Sequence, residues 1–92
     1  GGGFPDVYCT LGEVCLALTR WDDTRQHAQS AIALNPAYGH AHVLMAQVYA
    51  ERGAHCEAIE ALEKGLSCQP PEIVARRARE LLNALHGGKT DG

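Results

Sequence analysis

The chain has 92 residues, 46% of them hydrophobic, and a formal net charge of −3, which suits one small domain with a limited core. No apolar run approaches the ~20 residues that span a bilayer, and no secretory leader pattern opens the chain. The acidic balance argues against a nucleic-acid surface, since phosphate binding calls for a basic stripe.

Residues 1–4 read as a disordered leader of a domain cut from a longer protein. From Pro5 the pattern is helical: proline suits a first helical turn, and Asp6 suits the positive end of the helix dipole. Val7, Tyr8, Leu11, Val14, Cys15 and Leu18 form an apolar stripe, with Gly12 where a neighbouring helix can approach closely. Thr19-Arg20-Trp21 is a turn, and Asp22 and Asp23 start a second helix with Ala28, Ala31, Ile32 and Leu34 on its apolar face. Asn35-Pro36 ends it, because the residue before proline is pushed out of the α region.

The same order then recurs. A helix is predicted from Gly39 to Arg52, Gly53 breaks it, a second runs from His55 to Ser67, and Gln69-Pro70-Pro71 stops that one. A fifth helix over 71–85 puts Val74, Ala78, Leu81, Leu82 and Leu85 on one face, and Gly87 marks its stop, with 87–92 a flexible tail. No strand-like alternation occurs, so the fold class is all-α: about five antiparallel helices in one domain over 5–86, divided at 5–38, 39–70 and 71–86. Asn35-Pro36 and Gln69-Pro70 lie 34 residues apart. At that offset Leu11 falls on Met45, Gly12 on Ala46, Cys15 on Tyr49, Ala28 on Leu62, Ala31 on Gly65 and Ile32 on Leu66, so small residues meet small and apolar meet apolar.

Four cysteines at 9, 15, 56 and 68 form no C-x-x-C pair and match no common zinc spacing. As unpaired small hydrophobes they favour a reducing compartment. Phosphate-loop, G-x-S-x-G and H-E-x-x-H motifs are missing from the sequence, and His40 and His42, two apart on a helix, diverge too far to share a metal. The expectation is therefore no catalytic residue, no cofactor and no metal; a thiol- or metal-dependent enzyme using Cys9 or Cys56 with a histidine is the weakest alternative.

Tyr8-x-x-Leu11-Gly12-x-x-Cys15 resembles the opening of the tetratricopeptide repeat, and Ala58-x-x-x-Leu62-x-x-Gly65 with Pro70 resembles its close. Gly53 stands at that family's turn glycine and Trp21 at the bulky residue after the turn; Thr24, Thr19, His42 and Gly65 depart from the pattern. The resemblance covers residues 5–70 as two repeats, with 71–86 as a capping helix. It implies a non-catalytic module whose first helices line a concave groove for a peptide or partner helix. Carried over by position, that lining is Asp6, Cys9, Thr10, Glu13 and Ala17, then His40, Val43, Leu44, Gln47 and Glu51, with Arg76 and Arg79 closing one end. Family members that hold chaperone carboxylate tails use groove lysine, asparagine and arginine, which these positions lack, so a partner of apolar and mildly basic character is expected instead. Stacking of the Val7–Val14 side on a second copy or on further repeats is the other reading of the same resemblance.

Overall fold

The computed structural model describes residues 4–87 as five α-helices: α1 Pro5–Ala17, α2 Trp21–Leu34, α3 Gly39–Glu51, α4 His55–Ser67 and α5 Glu72–Gly87. Phe4, counted with the leader above, supplies the carbonyl that receives the Val7 and Tyr8 amides at the start of α1. Gly87, counted with the tail, is the last helical residue. The rest of the expected leader and tail lies outside the described residues. Pro71 precedes α5 rather than opening it, and its carbonyl accepts the Ala75 amide at 2.9 Å.

The helices pack sequentially in antiparallel pairs, α1 with α2 and α3 with α4, and α5 lies against the second pair. Both pairs turn by the same device. After α1 the Thr19 amide bonds the Leu16 carbonyl at 3.0 Å and the Arg20 amide bonds Cys15 at 2.8 Å. After α3 the Gly53 amide bonds Ala50 at 3.1 Å and the Ala54 amide bonds Tyr49 at 2.8 Å. This double closure needs a left-handed residue, which glycine supplies at Gly53 (φ 79°) and threonine at Thr19 (φ 58°). Gln69 (φ 56°) ends α4 similarly, but Pro70 has no N–H to give the second bond.

α3 is the centre of the molecule. Its Val43-Leu44-Met45-Ala46 run is buried on every side, dividing between two apolar clusters. Ala41, Leu44 and Met45 join Cys9, Ala28 and Ala31 from the first pair. Val43 and Ala46 join Ala58 and Leu62 of α4 and Val74 and Ala78 of α5. The pairing is close because small residues meet at the crossings. A Cβ on Gly12 would lie 3.1 Å from Leu44 Cδ1, and one on Gly65 would lie 3.0 Å from the Gly39 carbonyl oxygen. Gly65, a departure from the family pattern, is thus the residue that lets α4 touch the start of α3. His42 is buried and donates from Nε2 to the Pro36 carbonyl at 2.8 Å, filling an aromatic position while tying down the preceding loop.

Candidate functional site

The side of the molecule built from α1, α3 and α5 carries the polar features that join separate parts of the chain. Glu13 of α1 is at their centre. Its Oε2 accepts from His40 Nε2 of α3 at 2.7 Å and from Arg77 Nη1 of α5 at 2.5 Å, so one half-buried carboxylate links three helices. The hydrogen bond from His40, and then that from Arg77 with its charge, hold the Glu13 carboxyl below the usual glutamate range, against the opposing effect of burial.

Beside this cluster, at the C-terminal ends of α1 and α3, lies a cleft of about 250 Å³ lined by Leu16, Thr19, Trp21, Gln47, Ala50, Glu51 and Leu81. Gln47 Oε1 is buried without a hydrogen-bond partner. Glu51 is exposed at its edge. The nearby cations are engaged: Arg20 pairs with Asp23 at 2.8 Å, and Arg52 pairs with Asp22 across the two turns.

The expected lining residues divide into three groups. Glu13 and His40 are brought together, and Gln47 and Glu51 share the cleft. Cys9, Val43 and Leu44 require correction: all three are fully buried, Cys9 and Leu44 in the first apolar cluster and Val43 in the second, so they belong to the core and offer no surface. Asp6, Thr10 and Ala17 are exposed on α1, where the Thr10 hydroxyl donates only to the Asp6 carbonyl one turn back. Arg76 lies in an outer furrow with Ile73, Arg77 and Glu80, and Arg79 pairs with Glu72 of its own helix at 3.2 Å. The arginine of α5 that reaches Glu13 is Arg77, one position on from Arg76. The signal for it was present: a 34-residue step carries Cys9 to Val43 and Val43 to Arg77, and likewise carries Gln47 to Leu81.

A family model for the tetratricopeptide repeat matches residues 16–85, from the last turn of α1 into the last turns of α5. The chain belongs to the tetratricopeptide repeat family. No individual curated protein matches it. The match includes α5, and the 34-residue step that carries α1 onto α3 carries α3 onto α5. Tetratricopeptide repeats are generally protein–protein interaction modules and typically non-catalytic. Burial, with the Glu13 and Asp6 carboxylates nearby, pushes the Cys9 thiol up to about 12, which makes it a poor nucleophile near neutrality. Among the described residues no three His, Cys, Asp or Glu side chains gather as a metal site, and no helix is long and apolar enough to cross a membrane.

Proposed function

We propose that this domain is a non-catalytic interaction module that receives a segment of a partner protein on the face formed by α1, α3 and α5. The observation that carries this reading is the cleft where α1, α3 and α5 meet, with apolar walls and the Gln47 and Glu51 side chains among its lining. The Glu13–His40–Arg77 cluster fixes the spacing of the three helices, so the face is preformed and little ordering is needed on binding.

The test is retention of partners from a cell extract by the immobilised domain. Changing Gln47→Arg and Glu51→Arg together places two cations on the face and is expected to release specific partners, while Glu63→Arg on the exposed side of α4 keeps them. Equal retention by both variants, with unchanged circular dichroism, rules the face out.

A second reading, self-association through α1, is favoured by one observation. Phe4, Val7, Leu11, Val14 and Leu18 are all exposed and recur every three or four residues, an apolar seam along one side of α1. Its neighbours Tyr8, Thr10, Cys15 and Ala17 are uncharged, so two copies can meet along it without opposing like charges. Sedimentation velocity across a wide concentration range decides it: a dimer that Val14→Glu abolishes supports the reading, and a monomer throughout ends it.

A further inference from the structure

The cleft at the ends of α1 and α3 is lined by charge of one sign only, and that charge specifies what enters it. Leu16, Ala50, Leu81 and Trp21 form its apolar lining. The Glu51 carboxylate is its one charged group; the Gln47 amide, whose Oε1 is buried without a partner, and the Trp21 indole N–H are its neutral polar groups. The Thr19 hydroxyl, a possible donor, is already given to the Leu18 carbonyl at 2.6 Å. No lysine or arginine lines the cleft, and the arginines nearest in sequence, Arg20 and Arg52, are paired with aspartates.

Two further features have the same sign. Ala17 and Glu51 are the last residues of α1 and α3, so both helices direct the negative ends of their dipoles towards this region. Trp21 is the side chain best suited to attract a cation to its ring. The volume of about 250 Å³ lies below the roughly 300 Å³ at which small-molecule sites begin and suits one long side chain.

We infer that the cleft reads a lysine or arginine side chain of the bound segment, with its alkyl stem against Leu16, Ala50 and Leu81 and its charged head beside the Trp21 ring, donating to the Glu51 carboxylate. This rests on the proposal that α1, α3 and α5 form the binding face, and it names the residue type that face selects. An acidic side chain is disfavoured, because it would bring a second carboxylate to Glu51 with no cation to offset its desolvation.

Trp21 is the single tryptophan of the chain, so its fluorescence reports on the cleft directly. The experiment titrates the domain with four pools of degenerate nonapeptides that differ only in a fixed central residue: lysine, arginine, norleucine or glutamate. Amide shifts are followed in parallel. The lysine and arginine pools are expected to move Trp21 emission and the Gln47 and Glu51 signals at about tenfold lower concentration than the norleucine pool, the scale of one desolvated cation contact. Glu51→Gln is expected to remove most of that advantage, as is high salt, while Glu63→Gln leaves it intact. If norleucine matches lysine while the same face responds, the cation preference is wrong and the binding face stands. A preference for glutamate reverses the assigned sign and overturns the inference. If no pool perturbs any residue of α1, α3 or α5, both the inference and the binding face fail.

Discussion

α1 and α3 occupy the same place in the repeat, yet they live in different surroundings. A 34-residue step carries Leu11 to Met45 and Val14 to Val48. Leu11 and Val14 are 43% and 53% exposed, whereas Met45 and Val48 are 8% and 1% exposed. The residue types barely differ. What differs is the neighbour: α2 covers that side of α3, and no described helix precedes α1. In a repeat fold the burial of a position is set by the adjacent unit rather than by the repeat's own pattern, so stability resides in the interfaces.

The sharpest way to break this comparison is to truncate equivalent positions. Met45→Ala is expected to cost about 2–3 kcal/mol in a urea unfolding experiment, as for a large residue lost from a packed core. Leu11→Ala is expected to cost less than about 0.5 kcal/mol, as for an exposed site. Equal losses at both positions contradict the account, because they require α1 to be covered in solution as α3 is.

The turns offer a smaller contrast. Thr19 and Gly53 hold the same left-handed conformation, but only glycine holds it without strain. Thr19→Gly is expected to raise stability by about 0.5–1 kcal/mol, and Gly53→Thr to lower it by about 1–2 kcal/mol. Thermal melts of the two variants check both signs. A destabilised Thr19→Gly variant would mean that the Thr19 hydroxyl bond to Leu18 outweighs the backbone strain.

The polar cluster gives a difference of similar or smaller size, and one that depends on pH. Because the carboxyl of Glu13 is depressed in the folded state, its contribution is present above the ordinary glutamate pKa and is lost as the pH falls through the lowered folded value. Glu13→Gln is therefore expected to cost about 1 kcal/mol near neutrality, with the gap to the parent closing in acid. Melting temperatures of the two proteins, measured from neutral to acidic pH, would show the gap narrowing; a gap that widens in acid contradicts the sign. The exposed Arg79–Glu72 pair is the smallest case, and Arg79→Ala is expected to change stability by less than about 0.5 kcal/mol.

Much of this fold is legible along the chain because it is written locally. Asn35-Pro36, Gly53 and Pro70 punctuate the helices, and the spacing of small and apolar residues carries the 34-residue period. The site is less legible. Treating Val43 and Leu44 as surface follows from the repeat position alone and neglects the four consecutive apolar residues of α3, a pattern that belongs to a helix buried all round. Glu13 and His40 stand out as polar groups on adjacent first helices. Their convergence on Arg77 depends on α5 continuing the repeat register, which a capping role for that helix does not require. The cleft is the least legible part, since its lining comes from α1, the first turn, the start of α2, α3 and α5 at once.

The central claim is that partners bind where α1, α3 and α5 meet, and mapping a captured partner onto the domain by amide chemical shifts tests it most directly. The account predicts shifts gathered at Leu16, Gln47, Glu51 and Leu81, with the outer side of α4 unaffected. Shifts confined to Val7, Leu11 and Val14 would contradict it and move the binding surface to the exposed seam of α1.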